Sequence, residues 1–180
     1  MKLKQTFEVD APLERVWEAL IDVRRVAPCL PGAEIDEASD DGAYRGSFTV
    51  KLGPTTAAYR GELRMEEVDE AARRVVMRAN GQDKRGQGTA KATIESVMTG
   101  AGTGTRVEVV TDFTLTGRLA RFGRGGMIQD VSNRLMRDFA GCLQSSIESE
   151  RRESAPAAPP GALSLFFGAV LDRLRRLFRG

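Results

Sequence analysis

Hydrophobic and polar positions alternate over most of this chain, and the alternation gives way to a helical period in two places. Leu3, Phe7 and Val9 alternate with Lys4, Thr6 and Glu8, the pattern of a half-buried strand, with Gln5 as the one polar residue on the inner side. Leu13, Val16, Trp17, Leu20 and Ile21 then share one helical face, with Asp10 expected to cap that helix and Pro12 in its first turn. A short second helix is expected over Val23 to Ala27, ending where Pro28, Pro31 and Gly32 break the pattern. Six further strands follow in the regions of residues 33–37, 44–52, 57–66, 75–79, 88–95 and 106–115, separated by turns such as Asp41-Gly42, Gly53-Pro54 and Gly100 to Gly104. The longest helical pattern lies within the stretch from about Leu119 to Ser149. There Ile128, Val131, Leu135, Phe139, Leu143 and Ile147 recur three or four residues apart, and Met136 and Cys142 widen their face.

These elements predict an α+β fold: strand, two helices, six strands, one long helix. Polar outer faces and short turns make a single antiparallel sheet with one covered side. The long helix supplies the cover. The row predicted to face it is rich in small residues: Gly46, Ala57, Gly61, Ala79, Gly88, Ala90 and Ala92. Two readings are open. Glycines permit sharp sheet curvature and close helix approach. Alternatively, the small side chains leave an apolar cavity between sheet and helix. Tyr59, Thr111 and Gln5 are the polar groups on that face; they either orient a ligand or satisfy one another.

Charge changes the picture at the C-terminus. The chain holds 27 basic and 25 acidic residues. Residues 151–180 carry a net charge of +4 and the first 150 a net −2. A nearly neutral body with a basic tail argues against a nucleic-acid-binding domain, whose basic patch belongs on the fold itself. The expected domain organisation is a body over 1–149, a Pro/Ala-rich linker over 150–162 and a tail helix over 163–180. In the tail, Leu163, Phe166, Phe167, Val170, Leu171, Leu174, Leu177 and Phe178 fall within an arc of about 140°. Arg173, Arg175, Arg176 and Arg179 lie outside it. Such a helix is too short and polar to span a bilayer but suits its interface, with arginines among anionic headgroups. The competing reading is docking on a protein.

The chain contains no histidine, which removes the commonest general base and metal ligand. Cys29 and Cys142 fit neither a CxxC pair nor a zinc spacing, so each reads as a small buried hydrophobe. No secretory leader precedes the first strand, so a cytoplasmic setting with two reduced thiols is expected. The carboxylates read as solvated surface charge. Arg118, Arg121 and Arg124 lie in a glycine-rich link, residues 117–126, whose spacing fits no P-loop or dinucleotide fingerprint. No catalytic residue, metal site or cofactor is assigned.

A wider resemblance rests on particular residues: Ala11-Pro12 with Val16-Trp17, Cys29-Leu30-Pro31-Gly32-Ala33-Glu34 and Tyr44-Arg45-Gly46. Further along are Val50-Lys51-Leu52-Gly53-Pro54, Tyr59-Arg60-Gly61, Gly86-Gln87-Gly88-Thr89-Ala90 and Leu115-Thr116-Gly117-Arg118-Leu119-Ala120. With these, residues 1–149 resemble the carbon monoxide dehydrogenase G-subunit (CoxG-like) family, within the SRPBCC superfamily of START-type helix-grip folds. The resemblance implies a curved seven-stranded sheet gripping the long helix around a hydrophobic cavity. It also implies service to a molybdenum-containing carbon monoxide dehydrogenase-type enzyme at the cytoplasmic membrane, and a role with membrane quinone, menaquinone or ubiquinone. Lining residues expected on this basis are Phe48, Val50, Tyr59, Phe113, Leu115, Met127, Val131, Leu135 and Phe139. The expected function is a non-enzymatic, membrane-associated accessory protein that binds a lipophilic molecule. The alternatives are a tether or assembly factor without ligand, and an SRPBCC-type enzyme acting on a lipid or polyketide.

Overall fold

The computed structural model describes residues 1–117, 120 and 126–153. The first four residues of the expected linker, 150–153, are helical; its remainder, 154–162, and the expected tail helix, Leu163 to Phe178 included, lie outside the described residues. The chain divides into two units, Met1–Glu148 and Ser149–Gly180, and the first contains every strand.

Seven strands form one antiparallel sheet: β1 (Lys2–Val9), β2 (Ala33–Ala38), β3 (Ala43–Leu52), β4 (Thr55–Asp69), β5 (Arg74–Asp83), β6 (Thr89–Ala101) and β7 (Gly104–Leu115). Their order is β1-β7-β6-β5-β4-β3-β2, so β2 to β7 form a meander and β1 closes the far edge beside β7. Between β1 and β2 run α1 (Leu13–Ile21), α2 (Val23–Val26) and a single 3-10 turn over Ala27–Cys29. The long helix α3 spans Met127–Glu153. This is the α+β architecture expected from the periodicities, in the helix-grip arrangement that the resemblance implies.

Two local expectations are corrected. Asp10 does not cap α1. Pro12 stands at the N-cap, where its fixed φ of −58° leads into the helix. The Asp10 backbone N–H instead donates to Gln144 Oε1 of α3 at 2.7 Å. Nor are the cysteines separate reduced thiols. Cys29 and Cys142 form a disulfide across 113 residues, tying the 3-10 turn to α3. Their separation in sequence hides this proximity, because α3 returns across the region that α1 and α2 occupy.

Two glycines of the inner row allow neighbouring strands a close approach. At Gly46 a Cβ would run into the Glu34 carbonyl oxygen, and at Gly61 into that of Asn80. Only glycine lets neighbouring backbones come this close.

Side chains between sheet and helices bury in two clusters. The first contains Val9, Val16, Trp17, Val75, Met98, Val107, Leu143 and Ile147 among its eleven buried residues. The Arg73 guanidinium sits 5.3 Å from the Trp17 ring centroid and pairs with Glu14 at 2.6 Å, which ties the β4–β5 turn to α1. Thr105, fully buried, donates to the Ala11 carbonyl at 2.8 Å, so this polar group inside the apolar cluster is satisfied. The second cluster has three buried residues, Leu52, Ala57 and Tyr59, with Val50, Ala90, Leu115, Met127 and Val131 packed on them.

Candidate functional site: the strip between two clusters

Strand register explains why there are two clusters. Alternation along β3 to β7 sends every second residue to the helix side. One such row runs straight across the sheet: Tyr44 opposite Leu63, Leu63 opposite Ala79, Ala79 opposite Ala92, and Ala92 opposite Phe113. None of these five belongs to either cluster, and all are half-buried. On one side, Met65, Met77 and Ile94 join the first cluster; on the other, Ala90 and Leu115 join the second. Two alanines at the centre of the row remove side-chain bulk where the helix would otherwise be met.

The helix repeats this division. Met127 and Val131 belong to the second cluster, and Met136, Phe139, Leu143 and Ile147 to the first. Leu135 lies between them, half-buried and in neither. A row of half-buried residues therefore crosses the helix side of the sheet between the two clusters. Its walls are the two clusters.

The nine expected lining residues separate accordingly. Val50, Tyr59, Leu115, Met127 and Val131 meet in the second cluster. Phe113 and Leu135 belong to the strip, and Phe48 is half-buried in neither cluster. Phe139 packs on the first cluster, with its ring edge-on to Phe7 at 6.0 Å and 78°. Leu63, Ala79 and Ala92 complete the strip. Ala79 and Ala92 were visible as small inward residues; Leu63 was visible as an inward position without any sign of its depth.

Polar groups at the interface have distinct fates. Gln5, the misfit on the inner side of β1, donates from Nε2 to Asn133 Oδ1 of α3 at 3.4 Å. Asn133 was not anticipated; a lone polar residue in an apolar row was the signal that a partner should exist. Tyr59 is only 7% exposed. No hydrogen-bond partner for its hydroxyl occurs among the described residues. Burial, and then the charge of its cross-strand partner Asp83, push its pKa above the usual phenol value. At neutral pH the hydroxyl thus remains a donor.

A separate groove of about 740 Å³ crosses the outer face, lined by Arg45, Arg60, Glu62, Asn80, Gln82 and Lys91 among others. Its charged walls are cross-linked by ion pairs such as Arg45–Glu62 at 3.7 Å and Arg60–Asp36 at 3.7 Å. It is not the apolar cavity that the sequence suggests. Among the described residues, no group of three or more acidic or cysteine side chains is placed to hold a metal ion, and no helix is long and apolar enough to cross a membrane.

No curated protein matches the chain. Among solved structures, a conserved protein from Geobacillus kaustophilus is similar at a TM-score of 0.71 and 18% identity, covering 83% of this chain and 96% of that one. The Zhui aromatase/cyclase from Streptomyces sp. R1128 is similar at 0.59 and 20%, covering 88% and 99%. A START superfamily protein from Mycobacterium smegmatis is similar at 0.57 and 16%, covering 82% and 97%. These likenesses show a shared START-like fold. The family model for the carbon monoxide dehydrogenase G-subunit (CoxG) matches residues 6–148, and the chain belongs to that family.

Proposed function

We propose that this protein is a non-enzymatic accessory protein that carries a long apolar molecule, an isoprenoid quinone, between the cytoplasmic membrane and a carbon monoxide dehydrogenase-type oxidoreductase. The observation that carries this reading is the half-buried strip from Tyr44 to Phe113, with Leu135 falling between the same two clusters along α3. A well-filled core would bury those residues. An extended chain laid along the strip would do so, gaining about 25 cal/mol per Å² of apolar area removed from water. Tyr59, in the cluster that flanks the strip, offers its hydroxyl as a hydrogen-bond donor to a ligand carbonyl.

Family membership supports the accessory role and the choice of enzyme partner. The basic amphipathic pattern from Leu163 to Arg179 supports attachment at the cytoplasmic face of the membrane. Exchange with lipid has to be nearly balanced, since a ligand held far more tightly than by the bilayer would never be released.

The test is mass spectrometry of an organic extract from residues 1–150, expressed in a quinone-producing bacterium. Deleting the tail keeps lipid from co-purifying on the anchor. One quinone per chain is the expected result. A chain that arrives empty and takes up no added quinone contradicts the carrier reading and leaves a tether without ligand.

A further inference from the structure

The lysines of this chain are not scattered. There are five, at positions 2, 4, 51, 84 and 91. Four of them stand toward the end of the sheet where α3 begins, Lys2 by opening β1 opposite Asp112 near the close of β7. Lys51 is at the close of β3, one residue before the β3–β4 turn. Lys84 lies in the β5–β6 turn beside Arg85, with its backbone N–H bonded to the Ala58 carbonyl at 2.8 Å. Lys91 is the third residue of β6, which that turn feeds. The same end holds the second cluster. Leu52 and Met127 both belong to that cluster. A Cβ on Gly53 would be 3.5 Å from Met127 Cε, so the β3–β4 turn lies against the first turn of α3.

Lys51, Lys84, Arg85 and Lys91 are all exposed, and none enters an ion pair among the described residues. The opposing charges nearby are Asp83, which accepts from the Arg85 and Gln87 backbone N–H groups, Asp130 in the first turn of α3, and Asp112, which lines a surface hollow with Lys91 and pairs with the N-terminal ammonium at 3.6 Å. The opposite end differs. Its bases are compensated: Arg64 by Asp41 at 3.1 Å, Arg73 by Glu14 at 2.6 Å, Arg74 by Glu67 at 2.6 Å and Arg106 by Glu8 at 2.8 Å. Among the described residues, Lys51, Lys84, Arg85 and Lys91 thus form a group of cations without ion pairs at this end.

We propose that this end is a docking surface for an anionic membrane, with Lys51, Lys84, Arg85 and Lys91 resting among lipid headgroups. The proposal rests on the carrier reading and adds an orientation to it. A quinone barely dissolves in water, so its route from bilayer to protein has to be short and covered. The second cluster, with its few buried residues, is the easier of the two to part. Docking by this end sets that cluster against the lipid, and lysines near an anionic surface are held by roughly 1 kcal/mol each. An acidic protein surface is the competing occupant. The membrane is favoured because the ligand resides there and because compact, strongly hydrated ammonium groups suit a fluid array of headgroups without fixed partners.

The experiment compares full-length wild type with the double variant Lys51→Glu/Lys84→Glu by co-sedimentation with vesicles of phosphatidylcholine and phosphatidylglycerol in equal amounts. A charge-matched control reverses Arg134 and Arg137 on the exposed side of α3. Circular dichroism of each variant verifies the fold. The tail is the same in all three proteins. The lysine variant should bind about thirtyfold more weakly, the value for two lost lysine contacts. The control should bind within about twofold of wild type, and the difference should shrink as salt screens it. A lysine variant that binds like wild type, or a control that loses as much, overturns the proposal; unchanged vesicle binding is also what an acidic protein partner would give. Because vesicle binding is read without any quinone, this result stands or falls apart from the carrier reading.

Discussion

Where α1, β1 and the C-terminal half of α3 meet, eleven buried residues form one cluster; where the β3–β4 turn meets the start of α3, three do. The two regions use the same residue types, aliphatic and aromatic side chains on a strand face and a helix stripe. Among the described residues, the first adds anchors that the second lacks. A disulfide holds Cys142 to Cys29, Gln144 accepts from the Asp10 backbone, and Arg73 binds α1 through Glu14 and Trp17. Among the described residues, α3 is therefore held most firmly from Met136 onward, and less firmly from Met127 to Leu135, where the Gln5–Asn133 hydrogen bond is its polar link to the sheet. A carrier needs this asymmetry. The fold has to persist while one part of its interior exchanges contents, and regions that open are drawn from the less stable part of a structure.

The sharpest way to break the comparison is to remove a side chain from each cluster. Leu143→Ala empties a fully buried site and should cost about 3 kcal/mol of global stability. Val131→Ala, at a half-buried position, should cost about 1 kcal/mol or less. Denaturation in urea reads both values. Equal losses would mean that the two clusters are equally closed.

A smaller effect is expected from Cys29→Ser/Cys142→Ser. The bond closes a long loop, and its loss should cost roughly 2 kcal/mol under oxidising conditions. Reducing agent should lower the wild type to the level of the variant. In a reducing cytoplasm such a bond is short-lived, so the stabilisation belongs to the oxidised form. Alkylation of protein taken from cells, followed by intact mass, counts the free thiols. Hydrogen exchange should then quicken around Leu143 after reduction and stay unchanged at Val131.

The smallest effect concerns pH. The Tyr59 pKa is raised in the folded state, so the folded protein holds this proton more firmly than the unfolded chain. The stabilisation is full below the unfolded phenol value of about 10 and is lost as pH rises through the higher folded value. Tyr59→Phe removes that dependence. Wild type should lose stability relative to Tyr59→Phe above about pH 10, and urea titrations of the two proteins at several pH values check this.

Much of the fold was legible because alternation and helical spacing act locally. Tyr44 to Leu52 shows its strand face without help from any distant residue, and Ile128 to Ile147 shows its helix stripe in the same way. What escaped was decided by distance. Alternation told which face Leu63 and Phe113 occupy but not how deeply they lie, because depth depends on where α3 passes over the sheet. The disulfide escaped for the same reason: nothing near Cys29 in sequence announces Cys142. In the glycine row, Gly46 and Gly61 admit a neighbouring backbone carbonyl, while Ala79 and Ala92 lie half-buried in neither cluster.

The carrier account is tested most directly by native mass spectrometry of wild type and Val131→Trp after incubation with quinone-loaded vesicles. Wild type should carry one quinone per chain. Val131→Trp, whose indole would crowd the interface beside Leu135, should stay folded and carry almost none. A wild-type chain that remains empty, or a Val131→Trp chain that loads as well as wild type, would contradict the claim that the ligand lies between sheet and helix.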